Sequence, residues 1–200
     1  MAWNKYYIFI KAPKLGDLTE ILSKLGLSDY KPSREVTLLE SNKPKTLFTG
    51  FYNGNLLIVH PDLVFKFFGP SQSETEKCFI DLFPDTEIAA LVDNESVGLF
   101  SYSIIVDGKK IRMKDGCDGE IYNDFGDLLP EEIDLLEETI FTEDEMEEMK
   151  ENGLSEEEID EMVKFEASYR IPNRLSKRYL GEPVLTIDAS KVKLTMYTEW

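Results

Sequence analysis

The sequence predicts an α+β fold: a mostly antiparallel sheet with helices packed on one face and an acidic helical segment near the C-terminus. Three observations lead there. Short runs of branched and aromatic residues are punctuated by turn-forming dipeptides up to Lys114, the pattern of hairpin-connected strands. Amphipathic helical stretches interrupt those runs without a regular strand-helix alternation, which favours helices laid on an antiparallel sheet. From Pro130 onward the pattern becomes helical, opened by capping residues and dense in glutamate.

Tyr6 to Ile10 reads as a buried first strand. Asp17 then supplies a helix cap, Leu18, Ile21, Leu22 and Leu25 recur on one face, and Gly26 permits a left-handed exit. Val36 to Leu39 reads as a short edge strand before the loop around Pro44. Thr46 to His60 is a hairpin around Asn53-Gly54, two residues that tolerate the positive φ of a tight primed turn. Leu63 to Phe68 reads as a further strand, and Ser73 caps a helix that turns Cys78, Phe79, Leu82 and Phe83 inward until Pro84 stops it. Ile88 to Val92 and Val97 to Val106 are strands joined through Asp93 to Ser96, and Asp107-Gly108 turns the second into Lys109 to Lys114. The order strand, helix, hairpin can thus be read twice, as an internal duplication.

Beyond Pro130, which suits a first helical turn, Thr142 with Glu145 and Ser155 with Glu158 form two capping boxes, separated by Gly153. Narrow apolar stripes (Ile133, Leu136 and Ile140; Met146 and Met149; Ile159, Met162 and Val163) mark amphipathic surface helices. The last of them is expected to run from Glu156 to about Tyr169, ending before Ile171-Pro172. Val184 to Ile187 and Val192 to Tyr197 read as strands, the latter returning to the main sheet to bury its apolar face.

Two hundred residues with 42% hydrophobic positions suit a single domain, with residues 130–170 as an acidic helical subregion. No run approaches the roughly 18 apolar residues of a membrane span, and Met1 to Lys11 lacks the pattern of a secretion signal, so a cytoplasmic protein is expected. Cys78 and Cys117 show no metal or disulfide spacing and read as two thiols. The net charge of −17 is local: between Glu131 and Glu166 seventeen carboxylates face two lysines, a net of −15.

None of the sequence motifs with a known phosphate-binding, zinc-protease, hydrolase or kinase mechanism is present, and no catalytic residue, cofactor or metal site is assigned. His60, the single histidine, is placed either as a strand-end cap or as a general base. The segment Asp115 to Glu120, followed by Asp124 and Asp127, is rich in oxygen ligands for a divalent cation, yet departs from the twelve-residue calcium loop; a solvated turn is the other reading. Phe48, Phe51, Tyr52, Phe65, Phe67 and Phe68 lack interleaved cations and read as core rather than as a base-stacking platform.

Thr46 to Gly54, Leu99 to Ser103 with Val106 to Arg112, and Asn123 to Glu131 together resemble a group of uncharacterised bacterial α+β domains. The resemblance covers residues 45–131, carries no catalytic residue across, and implies a bacterial, cytoplasmic protein.

The functional expectation is a non-enzymatic interaction protein that engages a basic protein partner through Glu143, Glu147, Glu148, Glu157, Glu158 and Glu161, for example as an immunity-type inhibitor. Nucleic acid and anionic membrane are disfavoured partners, since like charges repel. The competing expectation is a small hydrolase or transferase, with or without a divalent cation, working at a cleft near His60 and the Asp115–Asp124 loop. A third account leaves the acidic helices neutralised by Arg170, Arg174, Lys177 and Arg178, or serving solubility alone.

Overall fold

The computed structural model describes residues 4–14, 18–41, 43 and 45–199. Its strands, in chain order, are β1 (Lys5–Ile10), β2 (Tyr30–Thr37), β3 (Thr46–Tyr52), β4 (Asn55–Val59), β5 (Glu87–Asn94), β6 (Leu99–Val106), β7 (Lys109–Cys117), β8 (Glu120–Gly126) and β9 (Lys193–Glu199). The helices are α1 (Leu18–Lys24), α2 (Pro61–Val64), α3 (Glu74–Leu82), α4 (Pro130–Leu136), α5 (Glu143–Glu151) and α6 (Glu156–Leu180). All nine strands join one antiparallel sheet in the order β2-β9-β3-β4-β1-β5-β6-β7-β8. The expected α+β class with a mostly antiparallel sheet is what the chain adopts. Asp17 and Pro44 lie outside the described residues.

The alternation of β1 divides the core in two. Ile8 and Ile10 point to one side, where α1, α2 and α3 bring Ile21, Leu22, Leu63, Phe79 and Phe83. Tyr7 and Phe9 point to the other, where Leu135, Ile171, Leu175 and Tyr179 cover them from α4 and α6. The first three helices therefore share one face, as expected, and the segment after Pro130 closes the second. Each large apolar side chain buried this way contributes about 1.5–3 kcal/mol.

The primed turns stand where the dipeptides put them: φ is +49° and +76° at Asn53 and Gly54, and +48° and +75° at Asp107 and Gly108. The first turn has a second role. The Asn53 side chain donates to the Leu180 carbonyl at 2.6 Å and Asn55 donates to Tyr179 at 2.7 Å, satisfying carbonyls left open where α6 ends at Gly181.

Five expectations are corrected. Leu63 to Phe68 is helical, comprising the end of α2 and a 3-10 turn over Phe65–Phe67, because Pro61 occupies the first helical position and His60 caps it. With that strand gone, the element order no longer repeats and the duplication falls. The Asp115 to Asp124 segment is mostly strand: β7 and β8 pair across the Asp118-Gly119 turn. Val184 to Ile187 is a turn whose Val184 amide bonds Ser176, whereas β9 does return to the sheet, between β2 and β3.

The fifth correction concerns α6, which continues through Pro172 to Leu180 and spans about 37 Å at 1.5 Å per residue. Proline deprives the Ser168 carbonyl of its helical donor, a cost of about 3 kcal/mol. Burial of Ile171, Leu175, Tyr179 and Leu180 outweighs it. Tyr179 also stacks on Phe9 at 4.7 Å and donates to Glu87 at 2.7 Å.

Candidate functional site

Two regions were singled out by the sequence, and the fold treats them differently. His60 is buried at the end of β4: its Nδ1 accepts from the Leu63 amide at 3.3 Å, and Nε2 lies 3.0 Å from the Tyr30 hydroxyl. Nδ1 must be unprotonated to accept, so the proton of the neutral ring sits on Nε2 and donates to Tyr30. Burial depresses the His60 pKa despite Asp62 and Glu199 nearby. The ring is a helix cap.

The Asp115–Asp124 segment is remote from it, because β4 and β7 are four strand spacings apart, about 19 Å. Its acids are engaged locally: Asp115 accepts from Asn123, and Asp124 pairs with Arg112 and Lys114. The expected shared cleft does not form. Among the described residues no cluster of histidine, cysteine and carboxylate has the makings of a metal site. Phe48 and Phe67 are core, while Phe51 and Phe65 are exposed on different elements.

A histidine whose folded pKa is lowered stabilises the fold above its ordinary value and loses that contribution as protons bind below it. We therefore predict that stability declines as pH falls below about 6.5. His60→Ala should cost about 1–2 kcal/mol by thermal melting and flatten that part of the pH profile.

The second region is built from helix caps upward. Thr142 Oγ1 accepts from the Glu145 amide while the Glu145 carboxylate accepts from the Thr142 amide at 2.7 Å. Ser155 and Glu158 repeat the arrangement. Hydrogen bonds from the Ser155 amide and hydroxyl hold the Glu158 carboxyl below its ordinary pKa. α5 buries none of its residues and packs against α6, whose contacts with the sheet core begin at Phe165. Residues 143–161 thus form an acidic arm of eleven carboxylates and one lysine. Thr142→Ala and Ser155→Ala are each expected to cost their helix about 1 kcal/mol, read as faster amide exchange in its first turn.

Glu143, Glu147 and Glu148 lie on α5, Glu157, Glu158 and Glu161 on α6, and all six are exposed. Their positions carry different physics. Glu143, Glu157 and Glu158 occupy first turns, where the helix dipole favours a negative charge. Glu147 and Glu148 lie toward the carboxyl end of α5, where it does not. Glu143 with Glu147, and Glu157 with Glu161, are like-charge i,i+4 pairs, each unfavourable by about 0.2–0.5 kcal/mol.

Among the described residues, no ion pair to the body of the protein offsets this charge. Among the described residues, the one ion pair made by a carboxylate of the arm is Lys150–Glu156 at 3.4 Å, internal to the arm. The arginines after it are committed elsewhere: Arg170 to Glu166, Arg174 to Glu138, and Arg178 to Glu131 and Glu87. A depression of about 640 Å³ between α4 and α6 is lined by these same paired groups with Lys177 and Asp134. The basic stretch therefore neutralises flanking acids of the helical segment, Glu131, Glu138 and Glu166, but none within residues 143–161.

Sequence reading missed a buried network that anchors this segment. Arg112, on β7, donates from Nε and Nη2 to Glu132 at 2.8 and 2.7 Å and also reaches Asp124. Glu132 accepts in addition from the Tyr102 hydroxyl at 2.7 Å and from the Leu129 amide at 2.9 Å. The group ties β6, β7 and β8 to the first turn of α4. Its one legible signal is Glu132 at the third helical position after Pro130, the capping-box carboxylate without a hydroxyl partner. No family model, curated protein or solved structure matches the chain. No helix among the described residues is long and apolar enough to cross a membrane.

Proposed function

We propose that the protein is an interaction module that binds a basic protein partner through the acidic arm, with Glu143, Glu147, Glu148, Glu157, Glu158 and Glu161 as the contacting carboxylates. The observation that carries this reading is the lack of compensation: Arg170, Arg174 and Arg178 pair with acids outside the arm, whose own carboxylates make one ion pair, internal to it, so the arm presents its charge to solvent. Solubility needs net charge but not its concentration into 19 residues against internal repulsion. A cationic surface relieves that repulsion on docking and is drawn in by the field. One concrete form is a bacterial, cytoplasmic immunity-type protein covering the basic active site of a nuclease toxin. The same field repels nucleic-acid backbones and anionic membranes from this face.

Affinity capture from a lysate of the encoding organism, at low and high salt, tests the reading with wild type and a variant carrying Glu147→Gln, Glu148→Gln, Glu157→Gln and Glu158→Gln. Glutamine retains the Glu158 capping role. The expected outcome is a basic protein held by wild type at low salt and lost by the variant; equal retention of every partner by both proteins sinks the proposal.

A further inference from the structure

Glu161 belongs to two features at once. It is part of the arm, and with Glu120 it flanks the mouth of a groove of about 460 Å³, lined also by Gly119, Ile121 and Lys164. Lys164 is shared with a narrower depression of about 90 Å³ walled by Leu128, Leu135, Leu136, Ala167 and Ile171, with Lys114 and Glu132, each already paired with a charge of its own, also at its edge. Glu161, Lys164, Ser168 and Ile171 recur at three- to four-residue spacing, so one face of α6 borders both depressions, which adjoin at Lys164 and are taken together as one surface groove. The narrow end is apolar and open: Leu128 is 48% and Leu136 69% exposed.

We infer that this groove seats a segment of the basic partner in which a large apolar side chain stands beside lysine or arginine. The apolar side chain enters among Leu128, Leu136 and Ala167, and the cations meet Glu120 and Glu161 at the mouth. Charge complementarity selects this occupant: the mouth opens onto the arm, and a second copy of a chain with a net charge of −17 is repelled from it. Lining argues the same way, since small-molecule pockets are mostly apolar throughout. The apolar end here has room for a side chain, and the larger mouth is flanked by carboxylates. An apolar anchor in a pocket with a charged rim is the arrangement that concentrates binding energy in a few residues. Lys164, between the two parts, places the cations of the occupant on the Glu120 side. The inference rests on the arm being the partner-binding surface and adds where specificity resides.

The test is selection of a phage-displayed random peptide library on the full-length protein, followed by affinity measurement on wild type, Leu136→Asp, Lys164→Ala and the four-glutamine variant. Leu136 is mostly exposed, so its replacement leaves the fold intact, which thermal melting verifies. Selected peptides are expected to carry a large apolar residue flanked by lysine or arginine. They should bind Leu136→Asp at least about tenfold more weakly, a loss of roughly 1.4 kcal/mol, and bind Lys164→Ala more tightly. Purely basic peptides that lose affinity on the four-glutamine variant but not on Leu136→Asp would overturn the groove and leave the arm standing. Peptides indifferent to both variants would overturn both readings. Self-association of wild type abolished by Leu136→Asp would assign the groove to a second copy and overturn the inference.

Discussion

Arg112→Met is expected to destabilise the fold by about 3–5 kcal/mol, measured by urea denaturation, because it strands the buried Glu132 carboxylate without its cation. Arg112 is fully buried and Glu132 is 6% exposed, so water does not replace the lost hydrogen bonds. Methionine fills much of the arginine stem volume, which makes the loss electrostatic and not a cavity effect. Adding Glu132→Gln removes the stranded charge while keeping an acceptor for the Leu129 amide. The double variant should therefore lose less than the sum of the two single ones, with a coupling of about 0.5–3 kcal/mol. Additive losses would show that the pair does not act as a unit.

The same pair makes a prediction about acid. Burial alone raises the Glu132 carboxyl, but hydrogen bonds from Arg112, the Leu129 amide and Tyr102 outweigh it and hold the group below its ordinary range. Burial pushes the Tyr102 hydroxyl well up, so it remains a donor throughout. Glu131 follows the same pattern, with Arg178 overriding burial. A carboxyl depressed in the folded state contributes stability above its unfolded pKa, about 4.3, and loses it as pH falls through the folded value. Stability is expected to drop below that point, and Glu132→Gln should blunt the drop.

The strands and caps announced themselves through local chemistry. Asn53-Gly54 and Asp107-Gly108 need no tertiary context to turn, and the Thr142 and Ser155 boxes satisfy amides within four residues. What escaped depends on burial decided from afar. Arg112 and Lys114 flank Met113 and look like the wet side of a hairpin, yet α4 and α6 cover that side and each cation acquires a carboxylate, while a register shift turns Lys110 to the other face and to Glu76 of α3. Pro172 reads as a stop because a local rule cannot weigh Leu175 and Tyr179 packing beyond it. Leu63, Val64 and Phe67 form a short apolar run that periodicity cannot assign, and the His60 cap settled it as helix. For the candidate site, the carboxylates were legible as a cluster. Their isolation was not, since it depends on which acids the distant arginines choose.

That isolation carries the second large prediction. A compact, uncompensated charge acts on encounter before contact, and electrostatic steering raises association rates by about 10–10³-fold at low ionic strength. Dissociation depends instead on short-range packing, so it should respond to Leu136→Asp more than to charge neutralisation. Salt screens the steering over a Debye length of about 8 Å at physiological ionic strength, so the advantage should fade as salt is added. The most direct test is the association rate of the captured partner with wild type and with the four-glutamine variant, followed across ionic strength. A rate at least about tenfold lower for the variant at low salt, converging with wild type at high salt, is the result expected of an acidic arm that recruits a basic protein; equal rates with equal salt dependence would contradict it.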